Sequence, residues 1–336
     1  MASGNDRPRR SAVSLWADLA SPAIGSPMVL HDFSADTAPA GYGHGAVVVG
    51  VDRAGVVPDI DSGDFDILLT TAPLPGRPWA SVAPSEFDTA LANLAARIAA
   101  RPIAASLLAA LLRVSETLPI AAAFQAEAMG YSTLLGGSEF QNWRHASLPK
   151  SRSKDTAPRV RVTQSGSVAI VTLTRADRRN AFDAAMRDAL CEALRGLAES
   201  GNMPITLRAE GPDFCAGGDL DEFGTQTDSA LAYAVRMTRY PALILAELGE
   251  RVRVELHGAC IGAGIEIPAA APEIVARTDT WFLLPEVSMG LLPGAGGTVT
   301  IPRRIGRHRT AYLGIGHVRL DAGKALDWGL IDRIST

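Results

Sequence analysis

A glycine-rich turn that leads toward a carboxylate is the part of this sequence best suited to chemistry. Residues 257–266 read His-Gly-Ala-Cys-Ile-Gly-Ala-Gly-Ile-Glu, and the alternation just before them over 252–256 predicts a strand with one buried face. Glycines let a ligand approach the backbone closely, and the first N–H groups of a helix have no partner within it. Such groups stabilise a developing negative charge, so the turn is a candidate oxyanion site. The alternative is tight packing of strand against helix without a ligand.

Two further loops offer similar groups. Residues 214–219 read Phe-Cys-Ala-Gly-Gly-Asp and follow a predicted strand at 205–209, while Pro285 and Glu286 follow another at 280–284. An open turn, Pro-Gly-Ala-Gly-Gly, comes next at 293–297. A single loop glutamate is usually a solvated charge, so the significance of Glu286 depends on the whole set of loops.

Composition limits the classes of function. The chain has 336 residues, of which 47% are hydrophobic and 20% charged, and its net charge of −4 argues against nucleic acid as a partner. Its uncharged apolar runs are shorter than the roughly 20 residues of a membrane-spanning helix. The three cysteines have no metal-ligand or disulfide spacing, which indicates a reducing compartment, and we expect a cytoplasmic protein.

The pattern of elements divides the chain into four parts. We expect an N-terminal arm with short strands at 45–51 and 65–70 (residues 1–84), a helical subdomain (85–146), a polar linker (147–158) and an α/β core (159–336). In the helical part, Phe87, Leu91, Leu94 and Ile98 recur at helical spacing. Residues 1–40 are expected to be irregular, and helices are expected at about 103–115, 119–129 and 229–248. The core strands are predicted at 160–163, 168–174, 205–209, 252–256 and 280–284.

Five segments, in this order and roughly this spacing, resemble the enoyl-CoA hydratase (crotonase) family. They are Arg-Asn-Ala-Phe at 179–182, the loop 214–219, the turn 258–266, Pro285-Glu286 and Pro-Gly-Ala-Gly-Gly at 293–297. The resemblance covers about 159–334 and implies an α/β fold with the family's spiral of strand-strand-helix repeats. Because the family continues with helices after the equivalent of residue 334, the helical subdomain at 85–146 resembles those helices moved ahead of the core. The chain therefore looks circularly permuted, the alternative being an unrelated appended domain.

The resemblance also implies a site. It assigns the oxyanion hole to the N–H groups of Ala216 and Ala263 and the two catalytic acids to Glu266 and Glu286. The further substrate-binding positions that it implies are Arg179, Ala181, Gly217, Asp219, Gly262 and Gly294. This chain departs from the family in having Asp221 and Glu222 where a lysine often contacts coenzyme A, so Arg178 and Arg179 are the expected substitutes.

The activity that the resemblance implies is that of a lyase which adds water to an enoyl-CoA thioester, or removes it, through an enolate. Keeping both acids favours hydration, while enoyl-CoA isomerisation, CoA-thioester hydrolysis and a catalytically silent subunit are the alternatives. We expect an acyl-CoA substrate, no cofactor apart from the coenzyme A of the substrate, no metal, and a homotrimer or dimer of trimers.

Overall fold

The computed structural model describes residues 21–23, 25–35, 45–147 and 156–335. Most of the arm expected to be irregular and residues 148–155 of the expected linker lie outside this part. The division of the chain into four parts and the circular permutation stay predictions.

Four short strands form a parallel sheet near the start of the described chain. In sheet order they are β1 (Met28–Asp32), β2 (Val47–Asp52), β3 (Ile67–Thr70) and β4 (Ala80–Ser81). All six residues of β2 are buried, as expected for a parallel strand covered on both faces. The two strands expected in this region are confirmed, but β1 was wrongly expected to be irregular. Its only buried residue is His31, so no alternation of apolar residues marks it as a strand.

A block of four helices follows this sheet. They are α1 (Phe87–Ala100), α2 (Pro102–Ser115), α3 (Ile120–Leu135) and α4 (Ser138–Ala146). The expected apolar stripe of α1 is buried, and Pro102 begins α2, where its missing N–H costs nothing. The third helix runs beyond the expected end near residue 129 and includes Tyr131.

The helical block packs against the second half of the chain. The side chain of Leu108 on α2 lies 3.1 Å from the point where a Cβ on Gly314 would sit, and Leu292 is equally close to Gly130 of α3, at 3.2 Å. The Ser115 hydroxyl donates a hydrogen bond to the carbonyl of Thr298 at 3.0 Å. One continuous apolar core therefore joins the two regions.

Replacing Leu108 tests this packing. Leu108 is fully buried, so Leu108→Ala should lower the free energy of unfolding by about 2 to 5 kcal/mol through lost burial and a cavity. The matched control is Val114→Ala on the exposed side of the same helix, where we expect a change within about 0.5 kcal/mol. Chemical denaturation of both variants measures the difference. An equally small effect in Leu108→Ala would contradict docking of α2 on the second half of the chain.

No single helix of the described chain combines the length and the apolar composition needed to cross a membrane. The helices α1 and α2 reach that composition only when they are counted together, and they are bent by 105° at the break between them.

The second half of the chain is built on a six-stranded sheet. Its strands are β5 (Val160–Ser165), β6 (Val168–Leu173), β7 (Ile205–Ala209), β8 (Val252–Leu256), β10 (Glu273–Arg277) and β13 (Arg333–Ser335). They lie in the order β13-β10-β8-β7-β6-β5, and all pairs are parallel except β5 with β6. Buried and partly exposed residues alternate along β8, as expected from its sequence.

Helices connect and cover these strands. They are α5 (Ala184–Glu199), α6 (Ser229–Thr238), α7 (Pro241–Leu248), α8 (Ala263–Glu266), α9 (Gly297–Ile305), α10 (Arg307–Ile315) and α11 (Ala322–Trp328). The carboxylate of Asp183 caps α5 by accepting a hydrogen bond from the N–H of Met186 at 2.7 Å. The single helix expected over about 229–248 is wrong, because Pro241 has no N–H to continue it and begins a new helix instead.

A small three-stranded sheet brings the two glutamates together. Its strands, in sheet order, are β12 (Leu320–Asp321), β11 (Trp281–Leu283) and β9 (Ala259–Ile261). The strands β9 and β11 are parallel, with Ile261 opposite Leu283, so the segments that follow them leave the same edge. One of these segments carries Glu266 and the other Glu286.

Candidate active site

A cavity of about 350 Å³ lies where the glycine-rich loops meet the helical block. Residues from several distant parts of the sequence line it, including Tyr131, Gly218, Asp219, Ala263, Glu266, Glu286 and Gly294. The structure thus brings both predicted acids and one of the two predicted oxyanion residues to a single cavity.

The two glutamates are buried and close to each other. Glu266 ends the short helix α8 and is 2% exposed, while Glu286 begins a turn of 3₁₀ helix after β11 and is 8% exposed. Between them lies Gly262, with a φ of 50°, where a Cβ would sit 2.4 Å from Oε1 of Glu286. Only glycine suits both this backbone conformation and this close approach. The absence of a side chain at Gly262 therefore leaves room for the carboxyl group of Glu286.

The partners of the two carboxyl groups differ. Oε2 of Glu266 accepts hydrogen bonds from the N–H groups of Ala295 at 2.7 Å and Gly297 at 3.0 Å. Oε2 of Glu286 is buried and has no hydrogen-bond partner among the described residues. The two N–H donors stabilise an ionised Glu266, so a proton shared by the pair belongs preferentially on Glu286.

Burial and like charge shift the pKa of both acids upward. Burial, followed by the negative charges of Glu286 and Glu127, raises the pKa of Glu266 well above its ordinary value. Burial raises the pKa of Glu286 to about 8. Two neighbouring carboxyl groups resist double ionisation, so one proton is retained where ordinary glutamates would have none.

The predicted oxyanion role of Ala216 is wrong. Its N–H donates to the carbonyl of Arg179 at 2.9 Å and is therefore already used within the protein. Two residues later, Gly218 lines the cavity, and within the described chain its N–H meets no acceptor. The same holds for the N–H of Ala263 in the first turn of α8. Gly218 and Ala263 therefore each offer a free backbone N–H at the cavity.

Ala263 has the negative φ that a residue with a side chain requires at this position. A residue with a Cβ at this position needs a negative φ, and Ala263 is not among the described residues with positive φ. Its position in the first turn of α8 leaves its N–H without an intrahelical partner.

Two of the other predicted substrate-binding residues line the cavity. Asp219 lies on its wall, but its carboxylate also accepts a hydrogen bond from Arg175 at 2.8 Å. Gly294 lies beside Tyr131, and a Cβ at this glycine would come within 2.2 Å of the tyrosine ring. A larger residue at 294 would therefore push Tyr131 out of the wall.

The remaining predicted positions support the loop that carries Gly218. Arg179 pairs with Asp213 at 2.5 Å. The carbonyls of Ala181 and Gly217 accept hydrogen bonds from Arg175 at 2.9 Å and from the N–H of Phe182 at 2.8 Å. None of these three predicted residues is among the described residues that line the cavity. Their predicted contact with a ligand is therefore not supported.

The cations at the cavity are not the ones expected. Arg187, Arg236 and Arg239 line it, while Arg178 and Arg179 are not among its lining residues in the described chain. Arg236 stacks on Tyr131, with the guanidinium carbon 3.6 Å from the ring centroid, and donates to the carbonyl of Gly294. These three arginines lie on or near helices and belong to no sequence motif, so the sequence did not indicate them.

Comparison with known proteins places the chain in a family. A family model described as enoyl-CoA hydratase/isomerase matches residues 163–336. An enoyl-CoA isomerase/hydratase of Mycosarcoma maydis is 31% identical over an alignment of 175 residues that covers 49% of this chain and 64% of that protein. The 1,2-epoxyphenylacetyl-CoA isomerase of Escherichia coli is 31% identical over 169 residues, again 49% of this chain and 64% of that protein.

A solved structure gives a similar alignment. The crystal structure of an enoyl-CoA hydratase from Thermoplasma volcanium is 29% identical and aligns over 53% of this chain and 72% of that chain, with a TM-score of 0.49. The chain spans a little under two thirds of the length of the two curated relatives. Because the family model matches more than half of its residues, the chain belongs to the enoyl-CoA hydratase/isomerase family.

Proposed function

We propose that the protein adds water reversibly to the double bond of an enoyl-CoA thioester. The observation that carries the proposal is the meeting of two buried carboxyl groups and two free backbone N–H groups at one cavity. Hydration through an enolate needs a base for water, an acid for C2 and donors for the carbonyl oxygen. The cavity offers each of these groups.

In the proposed reaction, Glu266 takes a proton from water while the water oxygen bonds to C3. The electron pair of the double bond moves toward the thioester carbonyl, whose oxygen becomes an enolate and accepts hydrogen bonds from Gly218 and Ala263. Collapse of the enolate takes a proton from Glu286 to C2. Fixed donors of this kind are each worth about 3 to 4 kcal/mol, and each acid or base step about 10²- to 10⁴-fold in rate.

The rest of the substrate would lie along the cations at the cavity. Arg187 and Arg239 are partly exposed, and their guanidinium groups suit the phosphates of coenzyme A. The proposed reaction uses no cofactor other than this coenzyme A.

We further propose a cytoplasmic homo-oligomer. Three free, buried cysteines support a reducing compartment. The exposed apolar side chains of Met129 on the helical block and Leu231 on α6 are suited to a subunit interface.

Crotonyl-CoA distinguishes the candidate activities. On incubation with the purified protein, the absorbance of the conjugated thioester should fall as 3-hydroxybutyryl-CoA forms, with no release of free thiol. Thiol release would indicate hydrolysis, and unchanged absorbance would indicate either a silent subunit or an isomerase. An isomerase would instead generate conjugated absorbance from a 3-enoyl-CoA, an alternative supported by the enoyl-CoA isomerase/hydratase among the relatives.

The pH dependence of kcat/KM should show the raised pKa of the acid pair. When both carboxyl groups are protonated no base is present, so activity should increase as the pH increases through the first ionisation of the pair. Because burial and like charge raise the pKa of both carboxyl groups, we expect this midpoint to lie well above the ordinary glutamate range near about 4.3. A profile of crotonyl-CoA hydration that is already flat from pH 5 upward would contradict the buried pair.

A further inference from the structure

A third buried carboxylate lies beside the acid pair and comes from the helical block. Glu127 on α3 is fully buried and accepts four hydrogen bonds. Its Oε1 accepts from the N–H of Gly296 at 2.7 Å and from the Tyr240 hydroxyl, while Oε2 accepts from the N–H of Thr298 at 2.8 Å and from the hydroxyl of Thr298 at 2.7 Å. Four donors match the acceptor capacity of an ionised carboxylate.

Successive backbone N–H groups of one segment are divided between two glutamates. Within residues 295–298, the N–H groups of Ala295 and Gly297 point to Glu266, and those of Gly296 and Thr298 point to Glu127. This segment leads into α9, whose N-terminal end favours negative charge. The geometry of the donors to Glu266 therefore depends on what holds the alternate N–H groups.

We propose that Glu127 is a positioning residue for the hydration reaction. It holds residues 295–298 so that two N–H groups face Glu266, and it keeps a second negative charge next to the acid pair. This inference rests on the proposed function. Residues 163–336 match the family model, so Glu127 lies outside the matched region and reaches the site through α3.

The charge on Glu127 has a defined electrostatic consequence. Burial raises its own pKa, and the hydrogen bonds from Tyr240, Thr298 and Gly296 oppose that increase. Its negative charge contributes to the raised pKa of both Glu266 and Glu286. Other titratable or charged groups around Glu266 are Tyr131, Cys215, Arg236 and Tyr240. Neutralising Glu127 should therefore lower the midpoint at which the acid pair first ionises.

Glu127→Gln tests both parts of the proposal. We expect the acid-side midpoint of kcat/KM to move down by about one pH unit, because a like charge is lost. We expect kcat to decrease by about 10²-fold. The NH2 group of the glutamine side chain would face hydrogen-bond donors instead of accepting from them, and this would displace the segment that holds Glu266. The KM for crotonyl-CoA should change much less than kcat.

Two further variants separate charge from position and from stability. Glu127→Asp keeps the charge on a shorter side chain, so kcat should decrease while the midpoint stays within about 0.3 pH units of the wild type. The matched control is Glu139→Gln, because Glu139 also accepts from two N–H groups at a helix N-terminus, those of Ile103 at 2.8 Å and Ala104 at 3.0 Å. It should lower stability but leave the midpoint unchanged.

An infrared titration of the full chain provides a readout that needs no turnover. The signal of the protonated Glu266 carboxyl is identified as the band lost in Glu266→Gln, and its midpoint is compared between the wild type and Glu127→Gln. If the wild type does not hydrate crotonyl-CoA, the proposed function fails, but a shifted midpoint would still support the coupling. An unshifted midpoint in Glu127→Gln overturns the inference.

If Glu127→Gln does not fold, Thr298→Val provides a second test of the proposal. Thr298→Val removes one hydroxyl donor to Glu127 and keeps all charges. It should lower kcat several-fold with little change in the midpoint. Wild-type kcat in Thr298→Val, together with loss of folding in Glu127→Gln, would show a purely structural role and overturn the inference.

Discussion

Glu266→Gln and Glu286→Gln should each lower the kcat for hydration by at least about 10²-fold. The first variant loses the base that takes the proton of water, and the second loses the acid that protonates C2. Both substitutions keep the shape of the side chain. Steady-state kinetics with crotonyl-CoA measures the effect.

Thermal unfolding is the control for these two variants. Each one removes one of two buried carboxyl groups whose charges repel, so we expect no large loss of stability. Near-normal turnover in either variant would remove that residue from the mechanism. A large decrease in Tm would instead assign the lost activity to unfolding.

Gly218→Pro should also lower kcat strongly relative to the wild type, because it removes the N–H proposed to bind the enolate oxygen. A donor worth about 3 kcal/mol corresponds to a loss of roughly 10²-fold. Any side chain at this position also meets Phe223, since a Cβ on Gly218 would lie 2.7 Å from its ring. The donor and the steric effect must therefore be separated.

Gly218→Ala makes this separation. It adds the same Cβ but keeps the N–H, so its kcat should lie well above that of Gly218→Pro. Equal kcat in the two variants would contradict the oxyanion assignment. Ala216→Pro offers a further contrast, because it breaks the hydrogen bond to Arg179 and should act mainly on stability.

Much of the catalytic core could be predicted from the sequence because short motifs determine local geometry. The turn at 257–266 follows the strand β8, contains two glycines with positive φ and ends in the helix α8, and so it fixes where Glu266 lies. The segment after β11 likewise fixes Glu286. The parallel pairing of β9 and β11 then brings both glutamates to one edge of the small sheet. The family resemblance, which rests on the order of the motifs, predicted this proximity.

The choice between neighbouring N–H groups could not be predicted, because it depends on which acceptors come close in three dimensions. Ala216 and Gly218 lie in the same small-residue loop, and only the position of the Arg179 carbonyl distinguishes them. That carbonyl belongs to Arg179, which has a φ of 52°, a left-handed conformation that an arginine in the sequence does not predict.

Residues on helices were missed for a related reason. Glu127 follows an ordinary helical pattern and contacts Gly296 across 169 positions of sequence. Tyr131 was placed after the end of its helix, where an orientation toward the cavity could not be inferred. Short strands such as β9 and β13 were also missed, because three residues are too few to show alternation.

The structure of the Glu266→Gln variant with bound crotonyl-CoA tests the central claim most directly, since the slow variant retains its substrate. We expect the thioester oxygen to lie about 2.7 to 3.1 Å from the N–H nitrogens of both Gly218 and Ala263. We also expect C3 to face the side chains at positions 266 and 286. A thioester oxygen bound away from both N–H groups, or an acyl chain outside this cavity, would contradict the proposed site.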